Sequence, residues 1–582
     1  MKNKNIINII KKYKIQYLVG VIFLIISSYL INKPAQIIGN IIDVLYKEQT
    51  NNNLIFSYVK ILLVIAIFSL IVRFIWKAVL VRAIRRSEKD MKDALLEHII
   101  NMPTKELINR SNGEFMSYFV KDIHDIRKFL YRLFGLGTRV VFRIIIAIYS
   151  MIVYVDLKLT IFVMLPIILT IFLSTIINKN YIKSLRKSRE AFTNLSYYVQ
   201  EATDGIRTIK AYAQEDEEIK NFEKINNNYK NSNFSLTIYS ALLYTCITLC
   251  FGISYAISII MGSKLILDGV ITVGAFTAFN TYIALLVSPV SWIPEIITAW
   301  QRSKVGYARL SNVFNVKVEK IDTKLIEKEA ENNIKGDIDI KNLNFTYSQN
   351  LYRTINNFSL EVKKGETVGI IGKVGSGKTT LMNLLLRLYE VERGKIYIDG
   401  KDINDIPIEN LRENISYITQ DNFLFSSTIR DNINLFRHDY DDREIEESAR
   451  KSLIYDKILE LEDGFDSVIG ERGVDLSGGQ KQRTAISRAF LKKSKIVIFD
   501  DTFCALDSKT GRNLLKNIKE FAKDKTCIIV SNRILDVKEL DKILVLDAGE
   551  IIELGTHKEL IKQKGQYYKF YVQQLLEKEA AI

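Results

Sequence analysis

The architecture of this chain follows from one run of residues, Gly372-Lys373-Val374-Gly375-Ser376-Gly377-Lys378-Thr379-Thr380. The run lies between an apolar, strand-like segment at 366–371 and a helix-like segment at 381–389. A glycine-rich loop in this position lets backbone N–H groups converge on phosphate oxygens at a helix N-terminus, where the helix dipole favours anions. Lys378 can then reach the β- and γ-phosphates, and the Thr379 hydroxyl can ligate Mg²⁺. The spacing therefore predicts a site for a nucleoside triphosphate and its Mg²⁺.

Length and composition indicate several domains of two kinds. The chain has 582 residues, whereas one domain takes roughly 100–200. Its first half is dense in Ile, Leu, Val, Phe and Tyr, and its second half has the mixed composition of a soluble α/β protein. The net charge of +15 suits either nucleic acid or an anionic membrane surface, and the apolar first half favours the membrane. We therefore expect a membrane lipid environment and no nucleic-acid partner.

The four cysteines show no spacing typical of metal ligands. They are Cys246, Cys250, Cys504 and Cys527. We expect all of them to be reduced residues with a packing role.

Six stretches of the first half are long and apolar enough to cross about 30 Å of hydrocarbon, which takes about 20 helical residues. They are 15–45, 54–82, 133–155, 157–178, 238–262 and 272–299. Lys and Arg concentrate before the first stretch and in the segments 83–132 and 178–236. The positive-inside rule places these segments and both termini in the cytoplasm. Both long segments have an amphipathic helical pattern, so we expect the spans to continue as helices beyond the bilayer.

Charged and aromatic side chains inside the spans leave two interpretations open. The charged ones are Arg73, Lys77, Arg139 and Arg143. Charge within a span marks a functional site by default, but long basic side chains near a cytoplasmic end also snorkel to the interface. The aromatic ones are Tyr244, Tyr255, Phe276, Phe279, Tyr282 and Trp292. These either line a cavity for a small molecule or pack within the bundle and at the membrane interface.

A charged segment without aromatic residues, 315–335, predicts a linker. It separates a membrane domain at 1–314 from a soluble domain at 336–582. The soluble domain opens with an alternating, strand-like segment at 337–347.

Motifs in the second half occur in the order and spacing of a known family. They are Tyr347, the glycine-rich loop, Gln420, Leu476-Ser477-Gly478-Gly479-Gln480 and Ile496-Val497-Ile498-Phe499-Asp500. This set resembles the nucleotide-binding domain of an ABC transporter, and the six spans ahead of it resemble an exporter-type (type IV) half-transporter. The resemblance covers almost the whole chain. It implies a multidomain fold, a six-helix all-α transmembrane domain followed by an α/β P-loop ATPase domain.

The resemblance also implies a role for each motif residue. Tyr347 would stack on the adenine of ATP, and Asp500 would hold Mg²⁺ together with Thr379 and Gln420. The phosphates would be bound by Gly372, Gly375, Ser376, Gly377, Lys378, Thr379 and Thr380. The signature loop, Ser477, Gly478, Gly479 and Gln480, would serve ATP bound to a partner subunit, and Asp507 would cross the dimer seam. The segments 113–123 and 201–212 resemble coupling loops. One chain carries a single ATPase domain, so a full transporter needs a second chain.

Two substitutions depart from the family pattern. The family's catalytic glutamate follows the Walker B aspartate, but here the pair is Asp500-Asp501. A general base must come within hydrogen-bond reach of its water, and a displacement near 1 Å can cost about 100-fold in rate. The family's switch histidine is replaced by Asn532, which cannot carry a proton.

Together these changes resemble the degenerate half of a heterodimeric exporter, with a different and catalytically complete partner chain. We expect a plasma-membrane protein, of bacterial type, that exports amphipathic small molecules of the multidrug kind. A homodimeric exporter of lipid or peptide and an ATP-gated channel or sensor subunit are the alternatives.

Overall fold

The computed structural model describes residues 6–46, 52–108, 110–318, 334–347, 352–470, 476–503 and 506–580. The chain divides into two compact units, one of residues 1–100 and 110–317 and the other of residues 101–109 and 318–582. Of the predicted linker, residues 319–333 lie outside the described residues, so its bounds at 315 and 335 stay a prediction.

Within the described ranges, six helices are long and apolar enough to cross a membrane. We number them spans 1 to 6: Lys14–Tyr46, Asn52–Ile100, Asn112–Tyr154, Leu157–Asp204, Glu215–Leu267 and Val273–Phe314. Span 3 is built from helices Asn112–Ser117, Ile123–Tyr131 and Thr138–Tyr154, which are joined by π-helical turns at Tyr118–Asp122 and Arg132–Gly137. Shorter helices lie at Ile6–Lys11, Thr104–Ile108 and Ile206–Ala211. The prediction of six apolar helices is confirmed.

Several spans are much longer than the bilayer requires. Spans 2, 4 and 5 have 49, 48 and 53 residues, whereas about 20 suffice to cross the hydrocarbon. Side chains cap two of the helix starts, since Asp156 accepts from Leu159 N and Thr272 accepts from Ala275 N. The amphipathic segments thus continue the spans as helices, as the sequence predicts.

The core of the helical unit contains two of the aromatic residues that the sequence singles out. Phe279 and Tyr282 of span 6 are buried among Met151, Leu159 and Phe251. Their position favours a packing role over a cavity-lining role for these two residues, whereas Tyr244 is exposed. Among the described cysteines, Cys250 and Cys527 are buried, Cys246 is half-buried and all three are free thiols. Cys504 lies outside the described residues.

The second unit is an α/β domain with two sheets. Its strands are β1 Ile338–Phe345, β2 Ile355–Val362, β3 Thr367–Gly372, β4 Ile396–Ile398, β5 Lys401–Asp402, β6 Ile415–Ile418, β7 Ile496–Asp500, β8 Thr526–Val530, β9 Lys542–Asp547 and β10 Glu550–Gly555. Its helices are Lys378–Leu385, Ile408–Asn414, Ile429–Asn434, Asp442–Lys451, Tyr455–Leu459, Gly478–Leu491, Ser508–Phe521, Ile534–Val537, His557–Gln563 and Gln566–Ala580. The predicted fold class is confirmed.

The larger sheet positions the predicted site. Its order is β10-β9-β3-β8-β7-β6, with β9, β3, β8, β7 and β6 parallel and β10 antiparallel at the edge. Strands β7 and β8 are buried along their whole length, which explains why they are apolar except for Asp500 and Thr526 at their ends. Ligands of such sheets bind at the carboxyl ends of the strands. These ends carry the glycine-rich loop, Gln420, Asp500 with Asp501, and Asn532.

The helix after the glycine-rich loop differs from the predicted segment at 381–389. It begins at Lys378 and ends at Leu385. It ends there because Arg387 adopts a left-handed conformation, with φ 49°. The Arg387 guanidinium donates to the carbonyl oxygens of Ile403 and Ile406 at 2.9 and 2.7 Å, which holds the chain in the turn.

Candidate nucleotide-binding site

The glycine-rich loop has the backbone that phosphate binding requires. Gly377, with φ 103°, caps the helix that begins at Lys378. A Cβ at this position would lie 2.8 Å from Ile355 Cδ1 and from the Thr354 carbonyl oxygen, so only glycine fits. The turn directs the start of the helix, with its unsatisfied N–H groups, toward the loop.

Two polar side chains of this loop fit an anionic ligand. Lys378 is buried, and its Nζ donates to the carbonyl oxygens of Gly372 at 2.7 Å and Lys373 at 2.9 Å. Burial lowers the pKa of the Lys378 ammonium, against the opposing charges of Asp501 and Asp500. Ser376 Oγ is buried and has no hydrogen-bond partner among the described residues. A buried hydroxyl of this kind calls for a partner, and a phosphate oxygen would supply one.

The Walker B aspartate has two neighbours that control its charge. Asp500 ends β7 and is buried, and Tyr417 of β6 donates a hydrogen bond to Asp500 Oδ2 at 2.9 Å. Burial raises the pKa of Asp500, while the hydrogen bonds from Tyr417 and Thr379 act in the opposite direction. No motif in the sequence marks Tyr417 as a site residue. It lies three positions before Gln420, and its alternating place in β6 gives no signal of this contact.

The residues present fit a magnesium ion. Thr379 and Asp500 are neighbours, and together they offer a hydroxyl and a carboxylate, which are the oxygen ligands that Mg²⁺ prefers. Gln420 is exposed just beyond β6, and within the described ranges it makes no hydrogen bond to Thr379 or Asp500. No group of three or more His, Cys, Asp or Glu residues gathers into an all-protein metal cage in the described part of the chain. Such an open arrangement suits Mg²⁺ that is shared with phosphates.

The two departures from the family pattern lie against each other. Asn532 Nδ2 donates a hydrogen bond to Asp501 Oδ2 at 3.1 Å. Asp501 adopts φ 49°, and its backbone N–H donates to the Val530 carbonyl oxygen at 2.9 Å, which ties the end of β7 to the end of β8. The predicted base position and the predicted switch position are thus in direct contact.

The C-terminal helix Gln566–Ala580 holds the loop that carries Asn532. Gln574 Nε2 donates to the Asn532 carbonyl oxygen at 2.7 Å, and the Ile534 N–H donates to Gln574 Oε1 at 2.9 Å. On the other side of the loop, the Ser531 hydroxyl donates to Asp536 Oδ2 at 2.7 Å. Nothing in the sequence indicates the role of Gln574, because its partner Asn532 lies about 40 positions earlier in the chain.

Tyr347 lies beside the glycine-rich loop, in an aromatic cluster. Its hydroxyl and Thr380 Oγ1 are hydrogen-bonded at 3.0 Å. Its ring meets the rings of Phe345 and Tyr389 edge to face, at centroid distances of 5.0 and 5.1 Å. The hydrogen bond places Tyr347 at the first turn of Lys378–Leu385, where an adenine ring could stack on it. The stacking itself stays a prediction.

The signature-loop residues form the start of a separate helix. Ser477 caps Gly478–Leu491 in a capping box, with the Ser477 N–H donating to Gln480 Oε1 at 2.8 Å. Asp507 caps Ser508–Phe521, where it accepts from the N–H groups of Lys509 and Thr510 at 3.1 and 3.0 Å. These backbone hydrogen bonds, Thr510 first, lower the pKa of Asp507. A contact of either residue across a dimer seam stays a prediction.

The chain is similar to known proteins over nearly its whole length. Residues 17–290 match the family model of the ABC transporter transmembrane region, and residues 355–504 match the ABC transporter family model. The "Probable multidrug resistance ABC transporter ATP-binding/permease protein YheI" of Bacillus subtilis is 30% identical over 569 residues, which cover 97% of this chain and 96% of that protein. The multidrug resistance-like ATP-binding protein MdlA of Buchnera aphidicola is 30% identical over 578 residues, 98% of this chain and 97% of that protein.

A solved structure has the same fold. It is that of a bacterial Atm1-family ABC exporter with ATP bound, with a TM-score of 0.77 at 23% identity over 96% of this chain and 98% of that one. The six apolar helices and the bacterial relatives indicate a multi-pass protein of the plasma membrane. The chain belongs to the ABC transporter family, as an exporter-type half-transporter that joins a transmembrane region and a transport-coupled ATPase domain in one polypeptide.

Proposed function

We propose that this chain is one half of a heterodimeric ABC exporter and that its own ATP site is degenerate. Its motif residues bind ATP and Mg²⁺ but hydrolyse ATP slowly. A different chain, with glutamate and histidine at the positions of Asp501 and Asn532, supplies the competent hydrolytic machinery. The loop Ser477–Gln480 of this chain completes that competent site.

The hydrogen bond from Asn532 to Asp501 is the observation that carries the proposal. A general base must reach the attacking water and must exchange a proton with it. Asp501 is one methylene shorter than glutamate, and it accepts a hydrogen bond from the amide that stands where the family has a histidine. Asn532 itself has no proton to exchange. Both departures from the family pattern therefore weaken the same chemical step, which is the activation of the attacking water.

The remaining motif residues keep their binding roles in this proposal. Lys378 and the N–H groups of the glycine-rich loop hold the phosphates, and Thr379, Asp500 and Gln420 hold Mg²⁺. Tyr347 stacks on adenine, and Asp507 links the two ATP sites across the dimer. ATP closes the two nucleotide-binding domains and turns the transport pathway outward, and hydrolysis at the competent site reopens it.

Amphipathic small molecules are the proposed cargo. The relatives that cover nearly the whole chain are named for multidrug resistance, and a transporter with apolar spans meets amphipathic compounds within the bilayer. The concentration of Lys and Arg in the extended segments supports cytoplasmic termini and a cytoplasmic ATPase domain.

ATP hydrolysis by the purified chain, without any partner, tests the proposal. We expect the chain to bind ATP with Mg²⁺ and to show little turnover, with Lys378→Ala as the control that removes binding. Brisk turnover that is abolished by Asp501→Asn would show a competent homodimer and would exclude the degenerate site. Native mass spectrometry of the complex isolated from its own cells should find two different chains.

A further inference from the structure

Two arginines of span 3 lie against tryptophans of two neighbouring spans. The guanidinium carbon of Arg139 is 4.8 Å from the ring centroid of Trp76 in span 2 and 5.7 Å from that of Trp292 in span 6. The guanidinium carbon of Arg143 is 5.8 Å from the Trp292 centroid. Arg73 of span 2, whose side chain is exposed, adds a third positive charge near these two. We call these five residues the arginine–tryptophan cluster.

No carboxylate in the part of the chain that the structure describes balances the charge of this cluster. Among the described residues, neither Arg73, Arg139 nor Arg143 forms a salt bridge. The nearest acid in the sequence of span 6, Glu295, is already paired with Arg132, at 3.4 Å from Nη2. The apolar parts of spans 2 and 3, residues 54–82 and 138–154, contain no Asp or Glu. Three like charges on apolar helices therefore lack a counterion within the described part of the chain.

Snorkelling does not account for the buried Nε of Arg143. A snorkelling arginine extends its head into water, with its nitrogens hydrated. Arg143 Nε is instead buried and has no hydrogen-bond partner among the described residues. Guanidinium groups that lie over indole rings keep N–H groups available, in the forked arrangement that binds carboxylate or phosphate oxygens in pairs. An anion would satisfy the buried donor and relieve the mutual repulsion.

We propose that the arginine–tryptophan cluster binds the anionic head of an amphiphile, a carboxylate, phosphate or sulfate with an apolar body. The arginines take the head, and the apolar side chains of spans 2, 3 and 6 lie along the body. The cluster would thus favour cargo with a negatively charged head. Only the step from binding to transport rests on the proposed export function.

Tryptophan fluorescence of the full chain in phosphatidylcholine nanodiscs tests the binding step. The chain has three tryptophans, so a Trp300→Phe background leaves only Trp76 and Trp292, both in the cluster. Two probes with matched apolar bodies carry a tryptophan-quenching bromine beside the head group, 2-bromododecanoate and (2-bromododecyl)trimethylammonium. We expect saturable quenching by the carboxylate and only weak, linear quenching by the ammonium. Equal quenching by both probes would overturn the proposal.

Matched variants distinguish a role of Arg143 in ligand binding from a role in the stability of the protein. We expect Arg143→Gln to weaken carboxylate binding by about tenfold or more, since it removes a charged hydrogen-bond donor. Arg132→Gln is the control, because Arg132 lies in the same span but is paired with Glu295. An equal loss in both variants, or no loss in Arg143→Gln at an unchanged melting temperature, would overturn the proposal.

A second arm distinguishes a lipid head from a free amphiphile. Nanodiscs that contain brominated phosphatidylglycerol are compared with nanodiscs that contain brominated phosphatidylcholine. Selective quenching by the former that Arg143→Gln removes assigns the cluster to an anionic lipid. Quenching by the soluble carboxylate alone assigns it to a free amphiphile. These measurements need neither nucleotide nor partner, so their outcome is independent of whether the ATP site is degenerate.

Discussion

The side-chain amide of Asn532 donates to Asp501 Oδ2 across 3.1 Å, and this contact joins the ends of two adjacent parallel strands at the nucleotide site. If this pair limits hydrolysis, the double substitution Asp501→Glu with Asn532→His should raise ATP turnover of the complex. We expect about a tenfold to 100-fold gain at this site, the scale of correcting a misplacement near 1 Å. Single-turnover hydrolysis measures it, with a partner chain whose own base is removed. Unchanged turnover would mean that these two residues do not limit the reaction.

Substitutions at Ser477 and at Lys378 should reduce the ATPase activity of the complex to different extents. Ser477→Arg places a bulky cation at the start of Gly478–Leu491 and, in the proposed heterodimer, damages the competent site of the partner. Lys378→Ala damages only the site of this chain. We expect steady-state ATPase activity of the complex to be nearly abolished by the first substitution and only reduced by the second. Equal losses of ATPase activity in the two variants would contradict the proposed asymmetry between the two ATP sites.

Tyr417→Phe should shift the pH dependence of Mg²⁺-dependent nucleotide binding. The hydrogen bond from Tyr417 favours the ionised form of Asp500, whose pKa burial raises. Without that bond the pKa of Asp500 rises further, so binding is lost at a higher pH when the solution is acidified. A hydrogen bond to a charged group is worth about 1.5–3 kcal/mol, which corresponds to a shift of about one pH unit or more. Tyr352→Phe, on an exposed residue of the same domain, is the control and should leave the profile in place.

Gln574→Ala should loosen the loop that carries Asn532. The Ile534 N–H donates to Gln574 Oε1, so its hydrogen exchange should become at least about tenfold faster once that acceptor is gone. The neighbouring Gln573 bonds only to Glu577 of its own helix among the described residues, so Gln573→Ala is the matched control. Hydrogen-exchange mass spectrometry of residues 531–536 measures both variants. Equal exchange in the two variants would exclude a positioning role for Gln574.

Gly274→Ala should destabilise the membrane unit. Spans 1 and 6 approach closely there, and a Cβ on Gly274 would lie 2.0 Å from the Gly39 carbonyl oxygen. The same approach lets the Gly274 N–H donate to Asp43 Oδ1 at 2.7 Å. Overpacking of this kind costs about 1–3 kcal/mol, which should appear as a lower melting temperature in detergent. Gly252→Ala adds its methyl group to open space in span 5, so that variant should melt like the parent protein.

Regular patterns made much of this fold predictable from the sequence. Apolar length gave the six spans, and the amphipathic periodicity of the polar segments predicted that the helices continue to residues such as Ile100 and Asp204. The glycine-rich loop and Asp500 share one sheet edge, because parallel strands bring their carboxyl ends together.

The contacts that complete the site were not predictable in this way. Tyr417 meets Asp500 from 83 positions away, and Gln574 meets Asn532 from 42. Each is a single side chain on an otherwise ordinary strand or helix, so no local pattern marks it. Asp507 differs from these two residues because its motif does mark it. The family resemblance predicts a place at the dimer seam, and the structure shows that Asp507 is also the N-cap of its own helix.

Span 5 is one uninterrupted helix of 53 residues, so it is roughly 80 Å long at 1.5 Å per residue. The hydrocarbon layer accounts for only about 30 Å of that length. The rest acts as a stiff lever, because a continuous backbone hydrogen-bond ladder resists bending. A rocking motion of about 10° at one end would sweep the other end through roughly 14 Å over such a length. Small rearrangements around cargo in the bilayer can therefore be amplified into large displacements in the aqueous phase without any hinge in the helix.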